Sequence, residues 1–187
     1  MKRIIALIML APVIAFGQSI PFNPETKEIV YDSVYEISGT KDELYTKAKS
    51  WVAESFKSSA VPINTDDRQA GVIICNGSVE FIFQLAKGKR ARKSDAIGEA
   101  NFVLNILLKD NKYKVVVTDI RTNTESPTAF SSSDAGKYLI GNFYDYKTES
   151  EALRQTWKSK IESIHEMIGY IYASINKKMS EKSDLNF

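Results

Sequence analysis

The sequence holds a single cysteine, Cys75, and a single histidine, His165, the two residue types that most often form a nucleophile and its base. Cys75 lies in a run of aliphatic residues, where a thiol is usually inert packing. One residue of each type is also too few for a zinc site, which usually needs three or four His, Cys or carboxylate ligands. We therefore predict no catalytic pair, no metal site and no cofactor, and favour a protein that is not an enzyme. We expect His165 to flank a helix beside a polar partner.

Paired carboxylates are the second candidate for chemistry, because a hydrolase can use one as acid and one as base. Asp66 and Asp67 are adjacent, and Asp95, at the end of the predicted cationic loop, precedes Glu99 by four residues. A turn explains the first pair, since aspartate bonds its own backbone in turns, and a place along a strand edge explains the second. An envelope-directed hydrolase of an unrecognised type is the alternative, and it requires two acids that converge in a cleft, one with a raised pKa.

The densest charge cluster is a cationic loop of five side chains within seven residues: Lys87, Lys89, Arg90, Arg92 and Lys93. Such a loop can contact phosphates on nucleic acid or on anionic lipid headgroups. Its structural interpretation is a solvated loop that discourages aggregation at a sheet edge. Its functional interpretation is weak attachment to an anionic membrane surface.

An irregular, aromatic-rich segment covers residues 124–148. Ser126-Pro127 is a loop signal, yet Tyr138, Phe143 and Tyr144 follow it closely. Because tyrosine joins a large apolar area to a polar tip, these side chains could contact a ligand or a partner. The alternative is a latch that covers the sheet or the last helix.

These residues must be positioned by a sheet whose long strands lie within residues 79–120. Residues 101–108 alternate with the period of two of a strand, and their even positions are all apolar. A two-residue turn at Asp110-Asn111 then sets the register. It predicts three facing pairs, Leu108–Tyr113, Ile106–Val115 and Leu104–Val117.

The remaining strands are read from composition and turn residues. Residues 28–37 form a first strand, and residues 61–64 form a short one that ends in a turn at residues 65–68. Residues 71–85 carry the apolar stripe of the long hairpin, interrupted by Asn76-Gly77. We predict one bent strand with a β-bulge at Gly77, and a hairpin turn is the alternative.

Two helices are indicated. Thr40 and Glu43 form a capping box that begins an amphipathic helix, whose apolar side recurs at spacings of three and four. Residues 149–178 form a long helix with an isoleucine-rich stripe, and we place Lys160 and the other charged residues off that stripe. The order β-α-β-β-β-β-α predicts an α+β fold, a curved antiparallel sheet with both helices on one face.

The opposite face of this sheet should then be open. The hairpin presents a half-apolar set of side chains there, and we take five of them as candidate contacts to a ligand or partner: Val103, Asn105, Leu107, Val116 and Ile120. A sheet face of this composition carries more apolar area than a wetted surface needs. Apolar patches of that kind often mark sites where partners bind.

The first 17 residues have the charge, apolar core and small residues of a secretory signal peptide, and the apolar run is too short to span a bilayer. Cleavage near Gly17 would remove Lys2 and Arg3, so that the 25 Lys and Arg fall to equal the 23 Asp and Glu. We predict a periplasmic or secreted protein. Residues 18–27 would be an extended lead-in, 28–178 a single α+β domain and 179–187 a polar tail.

Several stretches resemble a family of exported bacterial proteins, the domain of unknown function 4468. They are the leader, residues 71–77, the helix of Tyr45 and Trp51 after Gly39, and the hairpin at residues 109–113. The resemblance implies a fold like that of the TATA-box-binding protein (TBP-like) over roughly residues 28–123, with the last helix added by topology. It implies no catalytic residues.

The TBP-like fold does not by itself imply DNA binding, since function lives in sites. A TATA-box-binding sheet uses cations and intercalating aromatics, whereas the open face of the hairpin offers one cation, Lys114, and no aromatic. We expect no nucleic-acid partner. The sequence favours an exported, non-enzymatic binding or interaction module whose partner is an envelope protein or ligand, with a homodimer as the alternative.

Overall fold

The computed structural model describes residues 20–26, 28–56, 63–86, 94–123, 138–139 and 150–181. Its strands are β1 (Phe22–Asn23), β2 (Glu28–Ile29), β3 (Tyr31–Glu36), β4 (Ile63–Asp67), β5 (Val72–Leu85), β6 (Ser94–Lys109), β7 (Lys112–Asn123) and β8 (Tyr138–Leu139), and its helices are α1 (Lys41–Ser55) and α2 (Glu151–Ser180). The main sheet has the order β3-β7-β6-β5-β4, β8 also pairs with β7, and β1 pairs with β2. Neither described helix has the length and apolar character needed to span a bilayer.

The β6–β7 hairpin has the predicted register. Leu108 faces Tyr113, Ile106 faces Val115 and Leu104 faces Val117. Asn111 has a φ of 61°, a left-handed conformation that asparagine tolerates in turns. The turn also binds the start of α1, because Asp110 accepts a hydrogen bond from the Lys41 amide at 2.7 Å. The positive end of the helix dipole also stabilises a carboxylate at this position.

β5 is one continuous strand, but the bulge predicted at Gly77 is absent. Its register against β6 is unbroken from Val72 opposite Leu107 to Leu85 opposite Ser94. Gly77 instead lies opposite Phe102, whose ring occupies the space that a β-carbon on Gly77 would need. Gly98 accommodates the ring of Phe81 in the same way, with a β-carbon there falling 2.7 Å from the ring. The glycines therefore serve packing rather than a bend.

A bulge occurs in β7 instead, and it corrects the prediction for Ile120. Asn101 faces Arg121 whereas Val103 faces Thr118, so β7 has one extra residue between these pairs. Asp119, within the bulge, adopts a φ of 51°. The insertion reverses the alternation of side chains. Ile120 is consequently buried in the core, and it does not belong to the open face.

The turn predicted at residues 65–68 is also wrong, because β4 extends through Asp67. The turn lies a few residues later and ends at Gly71, whose φ of +70° suits glycine. There the Gly71 amide donates to the Arg68 carbonyl at 3.2 Å, and the Ala70 amide donates to the Asp67 carboxylate at 2.8 Å. Asp67 thus caps the turn from the last position of the strand.

Both helices pack on one face of the sheet, as predicted. The capping box of Thr40 and Glu43 begins α1. α2 has 30 residues, and at 1.5 Å per residue it spans about 45 Å. It runs the length of the hairpin, from the Ala86 amide, bonded by Thr156, to the Tyr113 hydroxyl, bonded by Asn176. The buried side chains of both helices and the sheet form one core cluster.

Candidate binding face

The side of the sheet away from the helices, here called the open face, is built by cross-strand rows of side chains. The pairing of β3, β7, β6 and β5 sets these rows. The first row runs Val34, Lys114, Leu107, Val72, the second runs Asp32, Val116, Asn105, Ile74, and the third runs Thr118, Val103, Asn76. Neighbouring strands lie about 5 Å apart, so side chains that are adjacent in a row touch each other.

Six aliphatic side chains in these rows form an apolar patch: Val34, Val72, Ile74, Val103, Leu107 and Val116. Each is at least partly exposed, and Val34 is 61% exposed. Two polar side chains interrupt the patch: Lys114 lies between Val34 and Leu107 in the first row and forms an ion pair with Asp32 at 2.7 Å, and Asn105 lies between Val116 and Ile74 in the second. A mixed apolar and polar surface is typical of a non-obligate protein interface.

Four of the five predicted open-face residues lie together here, namely Val103, Asn105, Leu107 and Val116. Val34, Val72 and Ile74 complete the patch and were not predicted. Their contribution depends on β3 pairing with β7 and on the outward side of β5, which are long-range pairings. The alternation of Val34 with Asp32 and Glu36 was the local signal, but it does not say which strand lies alongside.

The other predicted contact residues lie elsewhere in the chain, most of them outside the described residues. The backbone of Tyr138 pairs with Thr122 at the edge of β7. Phe143 and Tyr144, the cationic loop of Lys87, Lys89, Arg90, Arg92 and Lys93, the leader and the last six residues all lie outside the described residues. They remain predictions from the sequence.

Comparison with known proteins decides the family. The sequence profile of a family described as "Domain of unknown function (DUF4468) with TBP-like fold" matches residues 23–123, more than half of the chain. The protein belongs to the DUF4468 family. The resemblance found in the sequence is thereby confirmed, as is the α+β fold with a TBP-like sheet.

Two solved structures show how widely the DUF4468 fold is shared. A TBP-like protein from Parabacteroides distasonis has a TM-score of 0.63 at 16% identity, over 86% of this chain and 96% of its own. A DUF4468 family protein from Bacteroides ovatus has a TM-score of 0.61 at 13% identity, over 84% of this chain and 90% of its own. At such identities the likeness establishes the fold alone. No curated protein sequence matches this chain.

Cys75 and His165 occupy separate places in this DUF4468 protein. Cys75 faces the core from β5, and burial raises the pKa of its thiol to about 11. His165 has the expected polar partner, since its Nδ1 lies 3.0 Å from the hydroxyl of Tyr31. Tyr31 is on β3, three strands away from Cys75, which corresponds to about 14 Å. The hydrogen bond of His165 to Tyr31 therefore does not bring its imidazole to the thiol of Cys75.

The thiol of Cys75 should be unreactive in the folded protein. Its complete burial excludes reagents, and its raised pKa keeps it protonated at neutral pH. We expect no maleimide labelling of the folded chain at pH 7 during a period that gives full labelling in 8 M urea. Mass spectrometry measures both. Rapid labelling without denaturant would contradict the placement of Cys75 in the core.

Members of both predicted carboxylate pairs have structural partners. Asp66 accepts a hydrogen bond from the Tyr45 hydroxyl and forms an ion pair with Lys49 at 2.6 Å. Glu99 accepts from the Ser78 hydroxyl. A shallow concavity of about 230 Å³ is lined by Gln84, Ala86, Gln155, Lys158, Ser159 and Glu162. Glu162 is the one carboxylate among these lining residues, so the concavity does not hold a pair of acids. Among the described residues, no three His, Cys, Asp or Glu side chains are grouped to hold a metal ion.

Lys160 is a buried cation that the sequence pattern places on the surface, and that prediction is wrong. Only 3% of the residue is exposed. Its Nζ lies 4.7 Å from the ring centre of Phe83 and 5.3 Å from that of Trp157. Burial lowers the pKa of Lys160 to about 8. The two rings stabilise the cation, but they replace only part of the hydration that it loses.

Replacing Lys160 by methionine should stabilise the protein at pH 7 by about 1–2 kcal/mol, because an uncompensated buried charge is removed while the aliphatic stem is kept. The pKa is lowered in the folded state, so unfolding takes up a proton between pH 8 and about 10 and the wild type gains stability over that range. The advantage of the variant should therefore shrink as the pH rises to 10. Urea unfolding at several pH values measures this.

Lys158→Met is the matched control for this experiment. Lys158 lies two residues away and is 75% exposed in its side chain. Its replacement should change stability by less than about 0.5 kcal/mol at every pH. A Lys160→Met variant that is less stable than the wild type at pH 7 would contradict the burial of the charge.

Proposed function

We propose that this protein is an exported, non-enzymatic binding module that contacts an envelope protein through the apolar patch of the open face. The leader-like residues 1–17 support export. The observation that carries the binding role is the set of six neighbouring aliphatic side chains on the open face, with Val34 61% exposed in the first row. α1 and α2 pack on the other face of the sheet, so these two helices do not cover the apolar patch.

The charges around the patch favour a protein partner over a nucleic acid. Lys114 is already paired with Asp32, and acidic residues such as Glu36 and Asp67 lie on the same side of the sheet as Lys109 and Lys112. A nucleic-acid surface has clustered cations and stacking aromatics instead. The described open face has mixed charge and aliphatic side chains, as protein interfaces do.

Site-specific photo-crosslinking in the native host tests the proposal. A photoreactive amino acid replaces Val34, and a second strain carries it at Tyr170, which is equally exposed but lies on α2. We expect one discrete adduct from position 34 that is lost when Leu107→Asp is added, and no such adduct from position 170. An adduct of twice the chain mass would identify a homodimer instead. Identical products from both positions, or none from position 34, would refute the role of the patch.

Attachment to anionic membranes through residues 87–93 is a second proposal, and it depends on the charge density of the sequence. Liposomes that contain anionic lipid should sediment the mature chain. Charge reversal at Arg90, Arg92 and Lys93 should abolish this, and equal sedimentation of both forms would refute it. Asp66, Asp67 and Glu99 have structural partners, so no observation favours the hydrolase.

A further inference from the structure

Among the described strands, the outer edge of β5 is paired over less than half of its length. β4 pairs with β5 from Val72 only as far as Cys75. β6 pairs with the other side of β5 as far as Leu85. Among the described strands, none pairs with the outer side of β5 beyond Cys75. In the described part of the chain, residues 76–82 of β5, here called the β5 edge, therefore form the border of the sheet.

The direction of the backbone groups at the β5 edge follows from three hydrogen bonds. The Leu108 amide donates to the Gly71 carbonyl at 2.8 Å, so the odd-numbered residues of β5 face β6. The amides of Gln84 and Ala86 donate away from β6, to Ser159 and Thr156 of α2, each at 2.9 Å. The even-numbered residues Ser78, Glu80 and Ile82 consequently direct their N–H and C=O groups outward.

The β5 edge lies in a gap between two elements that occupy the same side of β5. β4 ends the gap at Cys75, and α2 ends it at Gln84. Seven residues of a strand fit between them, a length of roughly 23 Å. The edge contains neither proline nor lysine, which are the residues that commonly prevent strand addition. A strand placed here would continue the line of β4.

The side chains beside the edge indicate what kind of strand fits. Ile82 and Ile97 face each other across β5 and β6 on the open face, and they are 64% and 71% exposed. Glu80 is exposed next to them on the same face. An apolar side chain would cover the isoleucines, and a lysine or arginine would pair with Glu80. A second copy of the chain centred on Glu80 would instead oppose two carboxylates, which disfavours self-pairing.

We propose that the β5 edge binds an extended segment of a partner polypeptide as an added antiparallel strand, with a lysine or arginine opposite Glu80. Backbone hydrogen bonds to Ser78, Glu80 and Ile82 would hold the strand, and the neighbouring side chains would select it. The edge begins at Asn76, beside Val103 of the apolar patch, and its outward groups at Ser78, Glu80 and Ile82 lie beyond the patch. It does not depend on the function proposed for that patch.

A designed peptide serves as the probe. In the blocked peptide Thr-Ile-Val-Lys-Val-Thr-Thr, antiparallel pairing places isoleucine opposite Ile82 and lysine opposite Glu80. The control peptide has glutamate in place of the lysine. We expect titration of the isotopically labelled mature chain to give saturable amide shifts confined to residues near the β5 edge, and affinity about tenfold higher for the lysine peptide.

Three variants make the result decisive. Glu80→Lys is a surface change that should reverse the preference between the two peptides. Glu80→Pro removes an outward N–H while leaving the bonds to β6, because proline is tolerated on the free side of an edge strand, and it should abolish binding. Leu107→Asp should leave peptide binding unchanged, which separates this site from the apolar patch.

Three outcomes would overturn the proposal. The first is the absence of saturable shifts along β5 with either peptide. The second is an unchanged preference in Glu80→Lys, which would show that the strand is not read at Glu80. The third is concentration-dependent broadening of the same amides in the free chain, which would identify a second copy of the protein as the occupant.

Discussion

Replacing Leu104 by alanine should lower the free energy of unfolding by about 3–5 kcal/mol, the largest effect that we expect from a single truncation. Leu104 is fully buried in the centre of β6, between Cys75 and Val117. Truncation removes contacts with both neighbouring strands and with the layer of helices above. The surrounding side chains are held by a continuous sheet, so the cavity cannot easily collapse.

Leu107→Ala is the matched control, since it removes the same atoms from the same strand three residues away. Leu107 points to the open face and is 38% exposed, so its loss should reduce stability by less than about 1.5 kcal/mol. Urea unfolding monitored by tryptophan fluorescence measures both variants. Equal losses would contradict the assignment of one covered and one open face.

Replacing Gly77 by alanine should destabilise the protein by about 1–3 kcal/mol, although alanine suits a strand better than glycine. The new methyl group would occupy the position of the Phe102 ring, which cannot move without displacing buried neighbours. Equilibrium unfolding in urea measures the loss. A gain of stability would contradict the packing of Phe102 across Gly77.

The companion substitution Phe102→Leu distinguishes this cause from a general intolerance of the strand. In that background the ring is absent, so Gly77→Ala should reduce stability by less than about 0.5 kcal/mol. A double-mutant cycle over the two positions reports the interaction directly. Additive losses would mean that Gly77 is required for some other reason.

The central hairpin was predictable because two local signals agree. The alternation of residues 101–108 and the turn at Asp110-Asn111 independently give the same register. The capping box of α1 is equally local. The prediction failed where one residue changes the parity, since no local signal announces the bulge at Asp119 and everything beyond it, Ile120 included, changes face.

The open face was predictable only in part because it is assembled from strands far apart in the sequence. Leu107 and Val116 are neighbours within one hairpin, whereas Val34 joins them through a pairing across some 80 residues. The spacing of Lys160 in the sequence indicates a buried position, although its charge suggests an exposed one. Lys160 lies three residues after Trp157 and four before Ile164, which places it on the buried stripe of α2.

The β5 edge, unpaired among the described strands, follows from the lengths of those strands and could not be predicted. The sequence indicates where β5 begins and ends, but it does not reveal that β4 stops pairing at Cys75 while α2 arrives at Gln84. Predicting β4 as a shorter strand with an earlier turn obscured this relation further. Such a gap becomes visible only when three separate elements are placed together.

The most direct test of the open face as a binding surface is maleimide labelling of Leu107→Cys in a chain of residues 18–187, with Tyr170→Cys as the control on α2. Cys75 is buried and contributes no signal in the folded state. In the purified protein both introduced thiols should react readily. In native envelope suspensions labelling at position 107 should slow several-fold while position 170 is unaffected. Equal labelling at position 107 in both settings would contradict the account.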